Sequence, residues 1–124
     1  MVITGPSGAG KSSLALQLIA FGAELVADDQ TLCTRAPDGI LASVPPALKG
    51  LIEARGVGLL ELPAVPQALV HLVVDLSQTE TARLPERHEV GILGVPLPCL
   101  HKSDSPHFPA AVLLYLRGSR KEPS

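Results

Sequence analysis

The apolar positions of this chain fall into short runs whose spacing changes several times. Val2-Ile3-Thr4 predicts the end of a buried strand, and Gly5-Pro6-Ser7-Gly8-Ala9-Gly10 predicts a loop. From Lys11 to Phe21 the spacing becomes helical: Leu14 and Leu18, with Ala15 and Ile19, form an apolar stripe at i, i+4. Gly22 stands where a helix commonly ends on a residue of positive φ. Leu25-Val26-Ala27 predicts a short buried strand that delivers Asp28-Asp29 at its carboxyl end.

Thr31 to Arg35, a turn at Pro37-Asp38-Gly39, and Ile40 to Ser43 predict a hairpin. Pro45-Pro46 opens a predicted short helix through Leu51, and Leu59 to Leu62 is expected to return to the sheet. Ala68 to Leu76 (ALVHLVVDL) carries the strongest strand pattern, with His71 on it as a hydrogen-bonded structural histidine and Asp75 at its end, in a turn or near an active cleft. Val90 to Val95 and Ala110 to Leu116 predict further strands, the last with a helical alternative. Pro98, Pro106 and Pro109 predict an exposed loop between them. Residues 1–117 are expected to form one domain and 118–124 a tail.

Composition narrows the function classes. Aromatic residues are only 2% of the 124, so the core must be aliphatic and the stacking platforms of single-stranded nucleic-acid binders are missing. A formal net charge of −2 provides no basic field for a phosphate backbone, which argues against any nucleic-acid partner. The apolar runs fall well short of the roughly 20 residues that cross a bilayer, so no membrane association is expected. Cys33 and Cys99 match neither a zinc spacing nor CxxC, which fits a reducing, cytoplasmic setting. Cys99, His101, Asp104 and His107 do not repeat a tetrahedral ligand spacing either.

The candidate chemistry lies at the front of the chain. Gly5-Pro6-Ser7-Gly8-Ala9-Gly10-Lys11-Ser12 satisfies G-x-x-x-x-G-K-[ST], after a strand and before an amphipathic helix. Glycines let successive backbone N–H groups turn toward one anion, and the helix start adds its positive dipole end. Lys11 supplies a mobile charge for the β- and γ-phosphates of ATP, and the Ser12 hydroxyl can ligate Mg²⁺. Asp28-Asp29 follows one helix and one strand later, where one carboxylate can organise the metal and the other accept a proton from a hydroxyl nucleophile. The same pair also fits an acidic turn before Gln30-Thr31. Glu53 and Arg55 share one face of an extended segment, as a metal ligand and a phosphate clamp or as an ordinary surface ion pair.

Taken in order, GPSGAGKSSLAL, GAELVADD and LIEARGVGLLEL resemble the catalytic domain of the HPr kinase/phosphorylase family, in its short proteobacterial form without the N-terminal domain. The Ile-Glu-Ala-Arg-Gly-Val-Gly segment makes the resemblance specific; a small-molecule kinase of the nucleoside or gluconate type leaves it unexplained. The resemblance implies an α/β phosphate-loop (P-loop) fold of the phosphoenolpyruvate-carboxykinase-like type, with a mixed twisted sheet. It implies phosphorylation of a serine of HPr, the phosphocarrier of the bacterial phosphotransferase system, with ATP and Mg²⁺ as cofactors and a hexamer as the family assembly. Residues Gly5 to Ser12 would hold ATP, Asp29 with Asp28 beside it would carry the proton acceptor, and Glu53 would be the second Mg²⁺ ligand. Arg55 belongs to the same signature, and Arg83 resembles a later active-site arginine. The family's catalytic histidine lies upstream of the phosphate-loop strand, so the chain reads as a domain without its front edge, and none of His71, His88, His101 or His107 stands in that place. The late arginine- and glycine-containing loop is not preserved at Pro96 to Asp104, so the reverse phosphorylase reaction is not expected. The rival reading is an ATP-binding sensor that does not catalyse.

Overall fold

A computed structural model describes residues 1–26 and 31–118, so the predicted pair Asp28-Asp29 and residues 119–124 of the tail lie outside the described residues. In chain order the elements are β1 (Val2–Thr4), α1 (Lys11–Ala20), β2 (Leu32–Ala36), β3 (Gly39–Ser43), a 3₁₀ turn (Pro46–Leu48), β4 (Leu51–Ala54), β5 (Gly58–Glu61), β6 (Gln67–Leu69), β7 (Val73–Thr79), β8 (His88–Ile92), β9 (Val95–Lys102) and α2 (Phe108–Leu116). They divide between two units, Met1–Lys11 with His71–Ser124, and Ser12–Val70.

The first unit is built on a mixed sheet in the order β1-β7-β9-β8. β1 runs parallel to β7, with Val2, Ile3 and Thr4 opposite Val73, Val74 and Asp75. β7 runs parallel to β9, and β9 pairs antiparallel with β8. The β8–β9 connection is Leu93-Gly94, both at positive φ (50° and 80°), the conformation whose twist suits a two-residue hairpin. Leu72, Val73, Val74 and Leu76 are all buried, so β7 is covered on both faces, as a continuous apolar run requires. Leu97 and Cys99 of β9 and Val112 and Leu113 of α2 complete this core.

In the second unit α1 buries Leu14 and Leu18, two of the four predicted stripe residues, with Ala15 and Ile19 half-buried. It ends as expected: Gly22 (φ 107°) and Ala23 donate to the carbonyls of Ile19 and Leu18 at 3.0 Å each, the paired bonds of a Schellman cap. β2 and β3 form the predicted hairpin around Pro37-Asp38, and β6 adds to the far side of β3. β4 and β5 make a separate two-stranded ribbon.

Several expectations change. The run Ala68 to Leu76 is not one strand, because its ends answer to different partners. Leu69 pairs with Leu41 and Val70 N–H donates to the Ile40 carbonyl at 2.8 Å, whereas the Leu72 carbonyl accepts from Val2 at 2.9 Å. His71 sits exposed at this junction rather than on a strand. Leu25 makes only an isolated parallel bridge to Ala64 in place of a strand. The helix after Pro45 stops at Leu48, since the chain must extend into β4. The Ala110 to Leu116 segment is helical.

The largest departure is β9, expected to be a proline-bounded exposed loop. Pro96 and Pro98 lack the N–H that a central strand needs, yet β7 joins β9 only at Cys99 (Val73↔Cys99), beyond both prolines. They therefore occupy a stretch where β8 is the sole neighbour in the sheet.

Candidate functional site

β1 ends at Thr4 and α1 begins at Lys11, so the glycine-rich octet spans a strand-to-helix connection as predicted. Gly5, Gly8 and Gly10 have φ of 146°, 82° and 96°. At Gly8 and Gly10 the conformation alone excludes most side chains, because a Cβ there would meet nothing within 4 Å. At Gly5 space is also limiting: a Cβ would lie 3.2 Å from the Leu76 Cβ and 3.3 Å from the Ala9 Cβ. Ala9 N–H closes a turn on the Pro6 carbonyl at 3.1 Å. The Lys11 ammonium folds back over the loop and donates to the Gly5 carbonyl at 2.7 Å. No acidic side chain occupies the first turn of α1, so the positive end of its dipole is not neutralised from within the helix. Positive-φ glycines, an ammonium and a helix start thus stand together on this connection, a combination of groups that suits an anion.

Asp75 lies opposite Thr4 in the parallel register, one residue before that loop begins. Its Oδ1 accepts from the Ser77 hydroxyl at 2.6 Å and from Ser77 N–H at 2.9 Å. These two bonds hold its carboxyl below the ordinary carboxylate range, so Asp75 is ionised at neutral pH.

Ser12 is the second residue of α1, half-buried. Glu53 and Arg55 belong to the second unit and are exposed. Glu53 lies on β4, while Arg55 falls just past its end at the turn into β5, so the expected shared face of one extended segment is not formed. Arg83 is exposed on the segment between β7 and β8.

Arg83 lines a cavity of about 330 Å³ together with Glu80, His101, Ser103, His107 and Phe108, among others. Beside it the sequence reading missed a cluster. His88 is opposite Cys99 across β8 and β9, and His101 lies two residues along β9 on the same face. The two imidazoles stack with centroids 4.0 Å apart and planes 9° from parallel. His88 Nε2 is 2.8 Å from Glu80 Oε1. That contact and the backbone amides of Ala82 and Thr81 hold the Glu80 carboxyl below its ordinary range. No local spacing announces this group; the Leu93-Gly94 hairpin brings His88 to His101, and the pairing of β7 with β9 brings Glu80.

A strand–glycine-loop–helix on a mixed parallel and antiparallel sheet defines an α/β protein. The sequence profile of the HPr Serine kinase C-terminal domain matches residues 1–99, and the chain belongs to that family. It is 42% identical over 109 residues to the HPr kinase/phosphorylase of Aromatoleum aromaticum, covering 77% of this chain and 35% of that one. It is 41% identical over 97 residues to the HPr kinase/phosphorylase of Bordetella petrii, covering 68% of this chain and 32% of that one. The chain thus spans about a third of the length of these curated relatives. Among solved structures it resembles the Hpr(Ser) kinase/phosphatase from Coxiella burnetii, with a TM-score of 0.77, 26% identity, and coverage of 94% of this chain and 79% of that one. No helix among the described residues is long and apolar enough to cross a membrane.

Proposed function

We propose that this chain is the catalytic part of a cytoplasmic, ATP-dependent serine kinase of the phosphoenolpyruvate-carboxykinase-like phosphate-loop type, acting on HPr or a related phosphocarrier. The observation that carries the reading is the loop from Gly5 to Lys11, closed by the Lys11–Gly5 bond, in a chain of the HPr serine kinase family. In the proposed reaction the substrate serine Oγ bonds to the γ-phosphorus as the bond to the β–γ bridging oxygen breaks. ADP leaves with that electron pair, and the serine proton passes to Asp29, with Asp28 beside it. Lys11 and the loop amides stabilise the charge that develops on the phosphoryl oxygens. Ser12 and Glu53 supply hard oxygen donors suited to Mg²⁺, which when bound would neutralise the same charge. Arg55 and Arg83 are proposed to orient phosphate oxygens through paired N–H donors.

The test is incubation of the folded chain with γ-labelled ATP, Mg²⁺ and HPr. Label on HPr serine is the expected result; ATP binding without any label on HPr would overturn it in favour of a nucleotide-binding sensor. The sensor reading draws support from the segment Pro96–Asp104, which contains neither arginine nor glycine and forms most of β9.

A further inference from the structure

The Glu80–His88–His101 cluster contains none of the residues proposed for phosphoryl transfer, although Arg83 borders the same cavity. One ligand atom from each of the three residues lies within 4.8 Å of the other two. We infer that Glu80, His88 and His101 form a binding site for a divalent transition-metal ion of the zinc class.

The carboxylate is already oriented. Glu80 Oε2 accepts from the backbone N–H groups of Thr81 and Ala82 at 3.0 and 3.1 Å, and Glu80 N–H is tied to the Lys102 carbonyl at 2.8 Å. That anchoring leaves Oε1 aimed at His88, the kind of outer support that fixes a ligating carboxylate. The imidazoles sit on paired strands β8 and β9, so their backbones are held in register. Asp75 stands opposite His101 on β7, so a second carboxylate is a neighbour of that imidazole. A field of that sign favours a cation there.

Two imidazole nitrogens and one carboxylate oxygen are the donors preferred by zinc and its neighbours; Mg²⁺ prefers oxygen alone. Such an ion binds at about 2.0–2.2 Å from each donor, which draws tetrahedral donors to about 3.4 Å apart. The stacked rings do not yet converge on one point. Convergence needs rotation of one imidazole about its Cβ–Cγ torsion, which is soft for histidine, and replacement of the proton between His88 and Glu80 by the ion. Glu80 and His101 both line the cavity that Arg83 also borders, so a three-coordinate ion would turn its remaining position toward that space.

The experiment is calorimetric titration of the full chain, without nucleotide, with ZnCl₂ and separately with MgCl₂. One equivalent of zinc is expected to bind, at least tenfold more weakly in His88→Asn and in His101→Asn and unchanged in His71→Asn. Equal zinc affinity in the wild type and the His88→Asn, His101→Asn double variant would overturn the site. Should these variants lose the fold by circular dichroism, the imidazole NMR signals of the wild type decide the matter. Zinc is then expected to shift His88 and His101; shifts confined to His71 or His107, or none, refute the assignment.

Discussion

The ammonium of Lys11 and the carbonyl of Gly5 meet at 2.7 Å across the glycine loop, joining the first residue of α1 to the residue that follows β1. The bond holds the charge against the start of the loop. Lys11→Met keeps the length of the side chain and removes the charge. Charge-assisted bonds contribute about 1.5–3 kcal/mol, so ATP affinity should fall roughly ten- to hundredfold with the fold intact. Calorimetry with ATP checks this, and an unchanged dissociation constant would count against the loop as the nucleotide site.

Asp29→Asn separates binding from transfer. The amide retains the volume but cannot take the serine proton, and general-base assistance is typically worth about 10²–10⁴ in rate. Phosphorylation of HPr should drop by that factor while ATP affinity stays within about twofold. A variant that transfers phosphate at the wild-type rate assigns the base elsewhere.

Gly50 reports on the second unit. It adopts φ 79°, and a Cβ would sit 2.8 Å from the Leu62 carbonyl oxygen, whose residue also donates to the Gly50 carbonyl at 2.7 Å. A non-glycine residue held in that conformation costs about 1–3 kcal/mol, and the contact with rigid backbone adds to it. Gly50→Ala should therefore lower the denaturant midpoint clearly. Gly91→Ala, on a strand position with nothing within 4 Å of its Cβ, should leave it unchanged or raise it.

Much of this was legible from local pattern, and the rest was not, for identifiable reasons. Helix α1 and its glycine stop, the β2–β3 hairpin and the glycine-rich strand-to-helix connection are all set by residues near one another in the chain. The strand β9 was hidden because Pro96 and Pro98 are penalised in a central strand, and only the late arrival of β7 at Cys99 makes them tolerable. The break at His71 was hidden because a continuous apolar run looks the same whether it serves one sheet or two. Glu80 and His88 were missed because they meet His101 through strand pairing, which no spacing along the chain encodes.

Ser77→Ala tests the electrostatics beside the loop. It removes the hydroxyl donor that is the largest cause of the lowered Asp75 pKa, so the carboxyl should titrate nearer its ordinary value in an NMR pH series. A carboxylate with a depressed native pKa stabilises the fold above its unfolded pKa, and this contribution fades as the pH falls through the native one. The Asp75-dependent part of the stability difference between wild type and variant should therefore be present at neutral pH and vanish in strong acid. A difference that persists undiminished at the lowest pH would mean Ser77 acts through packing instead.

β1 has three residues and, among the described residues, lies at the edge of its sheet and pairs only with β7, more than half the chain away. Joining them means closing a very long loop, whose entropic cost must be met before three rungs of ladder return anything. Helix α1, by contrast, needs only its own neighbours and cap. The chain can thus complete the helix that receives the phosphate loop while the strand that launches it is still free. Amide exchange at Val2 to Thr4 would then track how often the glycine loop loses its anchoring strand, and, for the ATP site proposed above, a partner that clamps β1 onto β7 would tighten binding without touching the nucleotide.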